Sequence, residues 1–112
     1  MTGTEIHITD FFKALSDPTR LKIFRILASS PEKKLCVGSI AQKVDVTQPA
    51  VSQHLRALKQ VGLVTPNRDG FRVHYSINMT TVEMFKTAVE SLYQLATEPC
   101  DCQETCKKQP IG

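Results

Sequence analysis

The hydrophobic pattern of this 112-residue chain changes period after Gly62, and that change restricts its fold more than any other feature. Before Gly62, apolar residues recur at helical spacing, as in Val51, Leu55 and Leu58. After it they alternate. Residues 63–68 and 71–77 read as two strands joined by Asp69-Gly70, a two-residue hairpin signal. Alternation predicts Phe71, Val73, Tyr75 and Ile77 on one face and Arg72, His74 and Ser76 on the other. Pro66 has no N–H to donate, which confines the first strand to a sheet edge.

Helices are expected on both sides of this hairpin. Ile8, Phe11, Phe12 and Leu15 follow helical spacing. Asp17 is a good N-cap, with Pro18 suited to the first helical position, so a helix over 18–29 follows, ended by Ser29-Ser30-Pro31. Residues 37–44 predict a short helix, Asp45-Val46-Thr47 a tight connection, and 48–61 a longer helix with Gly62 after its end. Thr80 and Glu83 have capping-box spacing. The helix they open carries Val82, Phe85, Val89, Leu92 and Ala96 on one stripe, and Pro99 stops it. The order helix, helix, helix, helix, hairpin, helix is a helix-turn-helix followed by a wing. The fold class is mainly α with a β-hairpin wing. Residues 1–98 are expected to form one winged helix-turn-helix domain, with 99–112 as a cysteine-containing tail.

Composition narrows the function classes. The apolar fraction is 41% and the charged fraction 22%, ordinary values for a globular protein. No apolar run approaches the ~20 residues of a membrane span. The N-terminal Met1-Thr2-Gly3-Thr4-Glu5 has neither a basic start nor an apolar stretch, so a cytoplasmic protein with no membrane partner is expected. The net charge of +3 is uneven: residues 1–79 carry 11 Lys and Arg against 6 Asp and Glu, whereas residues 80–112 carry 3 against 5. The basic part suits nucleic acid. There are no paired carboxylates, no Ser/His/Asp order and no phosphate-binding glycine loop, so no enzyme activity is expected.

The helix at 48–61 carries the DNA reading. Gln48, Ser52, Arg56 and Lys59 share its solvent face, flanked by Gln53 and Gln60, and Thr47 caps its start. Gln, Ser and Arg supply hydrogen bonds for base edges. Arg56, Lys59 and the capped helix start supply cations and N–H groups for phosphates. His54, at the edge of the buried stripe, is placed to reach phosphate or to pack. Arg68 and Arg72 flank the wing turn, where they would meet the DNA backbone or minor groove.

These residues resemble the ArsR/SmtB family of small metal-responsive repressors. The resemblance is carried by Val37-Gly38-Ser39-Ile40-Ala41, by the run Val46 to Leu58 (VTQPAVSQHLRAL) and by Gly62-Leu63-Val64, with Asp17-Pro18-Thr19-Arg20-Leu21 and Val73-His74-Tyr75 also matching. It covers about residues 8–96. It implies a homodimer paired through the first and last helices, bound to an inverted-repeat duplex operator and released from it by an inducer. A two-thiol site in some members uses a Cys-Val-Cys run. This chain reads Cys36-Val37-Gly38 and lacks the second thiol. The zinc site that others place on the last helix needs His and Asp, and residues 79–96 contain neither.

Cys100, Cys102 and Cys106 then remain as candidate ligands. Pro99 breaks the helix, and an irregular segment can turn three sulfurs to one centre. Three thiolates suit As(III) or Sb(III), whose lone pair fills the fourth direction; Zn(II) or Cd(II) would want a fourth ligand. Some arsenic sensors of the family carry a similar C-terminal cluster with variable spacing. Cys36 alone reads as a structural thiol. Two alternatives stay open: a thiol-redox or persulfide-sensing repressor of the same fold, and a zinc-clipped protein-interaction adaptor.

Overall fold

The computed structural model describes residues 7–99. They form α1 (Ile8–Ala14), α2 (Pro18–Ser29), β1 (Lys34–Cys36), α3 (Val37–Val44), α4 (Gln48–Gln60), β2 (Val64–Asp69), β3 (Arg72–Ile77) and α5 (Met79–Thr97). The strands make one antiparallel sheet of order β1-β3-β2.

Each helix end has an identifiable cause. The Asp17 carboxylate accepts the Arg20 N–H at 2.9 Å and starts α2, with Pro18 in its first turn. Asp45 ends α3 in the left-handed region (φ +59°), where its N–H and that of Val46 both reach the Ala41 carbonyl. Aspartate is among the few non-glycine residues that tolerate this conformation. Two residues later, Thr47 Oγ1 accepts the Ala50 N–H and opens α4. Gly62 (φ +83°) closes α4: its N–H bonds the Lys59 carbonyl and the Leu63 N–H bonds that of Leu58. This is a Schellman motif, and its accompanying apolar pair, Leu58 and Leu63, is fully buried.

The core is built around α4. Val51, Leu55 and Leu58 have no exposed surface and pack with Ile23 and Leu27 of α2 and Ile40 of α3. Phe11 of α1 joins this cluster and stacks on Phe85 of α5 with ring centroids 5.0 Å apart. Burial of each large aliphatic side chain contributes about 1.5–3 kcal/mol.

Three features differ from expectation, and a fourth bears on the face expected to pair. Strand β1 has too few residues to show a period; it pairs Leu35 with Tyr75 and Cys36 with His74 on β3. The hairpin register pairs Asp69 with Arg72, so its two turn residues are Gly70 and Phe71 rather than Asp69 and Gly70. Gly70 has φ +65° and Phe71 does not have positive φ, as in a II′ turn with glycine at the first central position. Helix α5 starts earlier than predicted, because Asn78 Oδ1 caps the Thr81 N–H at 3.4 Å. Finally, this 19-residue helix has no residue classed as buried. Val82 and Phe85 lean on the core, whereas Leu92, Tyr93 and Leu95 are exposed, as is Phe12 of α1.

Gly62 and Gly70 both hold positive φ, but a Cβ at Gly62 would lie 3.2 Å from Thr81 Oγ1, while one at Gly70 would meet nothing. Alanine at either site costs about 1–2 kcal/mol in backbone strain. Gly62→Ala should therefore lower the urea midpoint more than Gly70→Ala at equal protein concentration. Equal shifts would show that Thr81 yields freely.

Candidate nucleic-acid interface

The turn between α3 and α4 sets the interface. Because Asp45 reverses the chain tightly, α4 presents its opposite side to solvent once its apolar stripe is buried against α2 and α3. Thr47, Gln48, Gln53, Arg56 and Lys59 are exposed there, and Ser52 is half-buried. The Gln48 amide lies over Gly38 at the start of α3, where a Cβ would stand 3.6 Å from Nε2.

The structure brings only some of the predicted residues together. Thr47, Gln48 and Ser52 share one cleft with Arg72 of the wing, along with Cys36, Gly38 and Phe71. Arg56, Lys59 and Gln53 lie outside this cleft on α4. Arg68 stands across the ladder from Val73, on the hairpin face opposite to Arg72. Half-buried His54 lies within electrostatic reach of Asp17. The Asp17 carboxyl is held below its ordinary range first by the Arg20 N–H bond, with His54 and Arg20 charges adding to it. Cys100, Cys102 and Cys106 lie outside the described residues. Among the described residues no group of three or more His, Cys, Asp or Glu is placed to hold a metal ion.

Two residues at the cleft have properties the sequence reading did not assign. Phe71, expected on the core-facing stripe, is fully exposed. The reason is the turn: Phe71 lies in the loop rather than in β3, beyond the stretch from Val73 to Ile77 that is half-buried throughout. Glycine followed by Phe71 was the available signal, since a II′ turn requires glycine first. The second is Cys36, the N-cap of α3. Its Sγ lies 3.3 Å from Ser39 Oγ, and its thiol is held below the ordinary value. The Ser39 hydroxyl contributes most to that shift, then the Ser39 N–H; the Arg72 charge and the Gly38 N–H also lower it, against partial burial. Cys36 is thus a more acidic thiol than a purely packed cysteine.

A helix, tight turn, amphipathic helix and hairpin with polar and cationic residues converging on one side is a surface for duplex DNA, and similarity to known proteins agrees. The profile of the family "Bacterial regulatory protein, arsR family" matches residues 17–65. The chain is 36% identical over 76 residues to the transcriptional repressor SdpR of Bacillus subtilis, spanning 68% of this chain and 81% of that protein. It belongs to the ArsR family. It is 43% identical over 70 residues to the cadmium resistance regulator CadC of Listeria innocua, covering 62% of this chain and 57% of CadC. The homodimeric winged helix-turn-helix domain Mb0332 of Mycobacterium bovis superposes with a TM-score of 0.62 at 28% identity, covering 78% and 79% of the two chains. This member of the ArsR family is a DNA-binding transcriptional regulator and not an enzyme. No helix among the described residues is long and apolar enough to cross a membrane.

The Cys36 environment has a measurable consequence. In a protein with Cys100, Cys102 and Cys106 replaced by serine, the pH profile of iodoacetamide alkylation should rise at lower pH than for an ordinary thiol. Ser39→Ala should move it upward, because the hydroxyl that favours the thiolate is gone. An unmoved profile would assign the acidity to the Ser39 and Gly38 N–H groups and the Arg72 charge.

Proposed function

We propose that this regulator is a homodimeric repressor that leaves its operator when As(III) or Sb(III) binds Cys100, Cys102 and Cys106. The observation that carries the reading is the occurrence of three thiols within seven residues soon after α5 in the sequence, the helix whose Leu92, Tyr93 and Leu95 lie uncovered in the protomer. Residues 1–98 act as the DNA-binding and dimerisation domain and 99–112 as the sensing tail. The protein works in the cytoplasm, beside its operator.

On the operator, α4 enters the major groove. Gln48, Ser52 and Arg56 read base edges, with Gln53 flanking them. Lys59 and His54 meet phosphates, Thr47 aims the N–H groups of the helix start at one, and Arg68 and Arg72 hold the adjoining backbone. A two-fold dimer presents two such helices about 34 Å apart, so the operator is an imperfect inverted repeat. The pairing face is the apolar surface of α1 and α5, including Phe12, Leu92 and Leu95. Support comes from the Mb0332 domain, which is homodimeric and shares the fold.

On the tail, arsenous acid exchanges its three hydroxyl groups for three cysteine sulfurs and releases three waters. Bound there, the ion would tie the three thiols to one centre. CadC, a cadmium resistance regulator, supports a thiophilic ion as the signal class. The donor set of three sulfurs favours As(III) and Sb(III) over Zn(II) and Cd(II), which take a fourth ligand. Coupling to DNA requires the tied tail to contact the DNA-fitting and DNA-released dimers differently.

Two outcomes test this reading. Leu92→Asp places a charge in the pairing face and should give a monomer by sedimentation with operator binding lost; a variant that stays dimeric would place the interface elsewhere. Arsenite with excess reductant should weaken operator binding about 5- to 150-fold, a typical coupling. Serine at Cys100, Cys102 or Cys106 should abolish that release while keeping DNA affinity, and Cys36→Ser should respond normally. A chain ending at Pro99 that still releases DNA with arsenite would remove the tail from the mechanism.

A further inference from the structure

Phe71 stands at the tip of the wing with its side chain fully in water, at 104% relative exposure. Of the other exposed large apolar residues, Phe12, Met79, Met84, Leu92, Tyr93 and Leu95 belong to α1 and α5, the elements of the proposed pairing face, and Leu21 lies on α2 at 38% exposure. Phe71 instead lines the cleft shared with Thr47, Gln48 and Ser52 of α4. Gly70 at the first turn position lets the hairpin reverse in two residues, leaving Phe71 as its outermost side chain. The flanking charges are Arg68, Asp69 and Arg72, a balance that favours a polyanion. Asp69 stands opposite Arg72 in the ladder, and Arg68 opposite the apolar Val73.

We propose that Phe71 is a DNA-contacting residue, seating its ring in the minor groove beside the major-groove segment read by α4. This rests on α4 being the reading helix. Because the wing tip and the first turn of α4 border one cleft, DNA that receives α4 meets Phe71 across the intervening sugar–phosphate ridge. The minor groove is about 6 Å wide and its walls are deoxyribose rings, an apolar lining. A phenyl ring packs against those sugars or wedges a base step, as apolar side chains of other minor-groove proteins do. The neighbouring arginines hold the phosphates on either side. Phe71 thereby adds affinity without adding charge, and its preference follows groove width and step flexibility rather than base-edge hydrogen bonds.

The test uses the full-length protein and a duplex selected by it from a random-sequence pool. Phe71→Ala should weaken binding roughly 5- to 150-fold, the range for losing one aromatic contact to a nucleic acid. The slope of log Kd against log salt should stay unchanged, whereas Arg72→Ala should reduce it by about 1. Hydroxyl-radical cleavage, which reads sugar accessibility, should show protection in the flanking minor groove that disappears with Phe71→Ala and returns with Phe71→Tyr. Urea midpoint and sedimentation should match the unmodified protein. Unchanged affinity, a lowered midpoint or a shift to monomer would each overturn the proposal. Gln48→Ala separates the two readings: if it relaxes sequence preference while Phe71→Ala does nothing, only the wing proposal fails. If neither substitution matters, α4 is not the reading helix.

Discussion

Burial of Val51, Leu55 and Leu58 beneath α4 is the constraint on which the rest of the structure depends. These residues sit at spacings that occupy one helical stripe, and packing them against Ile23, Leu27 and Ile40 fixes the rotation of α4 about its axis. The polar side is thereby aimed outward with no further device. Helix-end geometry then fixes its position along the chain. The left-handed Asp45 sets where α4 begins and Gly62 sets where it stops. The hairpin follows from the second of these, since Leu63 and Val64 leave α4 already buried.

The candidate interface has two parts. Gln48 and Thr47 lie beside packed backbone at the starts of α3 and α4. The distal side chains Arg56 and Lys59 are long, exposed and free of ion pairs among the described residues. Short, positioned groups suit readout of base edges, whereas long flexible cations suit phosphates, which recur along the duplex whatever its sequence.

Most of the fold was legible in the sequence because its signals are local. The caps at Asp17 and Thr47, the stripe of α4 and the two strands of the wing each arise within a few residues, and the structure carries all of them; the alternation expected along the wing does not appear in burial, since Val73 to Ile77 are all half-buried. Three features were hidden for physical reasons. Strand β1 is only three residues long, and its existence depends on β3, about forty residues away. The hairpin turn differed by one position because Asp69-Gly70 and Gly70-Phe71 are both acceptable two-residue turns; cross-strand pairing decides between them. The start of α5 turned on a competition between two caps, Asn78 and Thr80, which the capping-box spacing alone does not settle. Of the interface, the face of α4 could be read from periodicity. The cleft that Arg72 shares with Gln48 and the separation of Arg68 from Arg72 could not, because each depends on how elements remote in sequence are arranged.

Strand β1 has a mechanical consequence. It is continuous with the first residue of α3 on one side and hydrogen-bonded to β3 on the other. The helix-turn-helix and the wing are therefore stapled into one block, with Cys36 and His74 facing each other across the staple. Such a block fits or misses a half-site as a unit, since tilting the wing alone would break the β1–β3 ladder. In the proposed dimer, a signal passed through α5 would act on the distance and angle between two such blocks, a lever that works on the geometry of the pair.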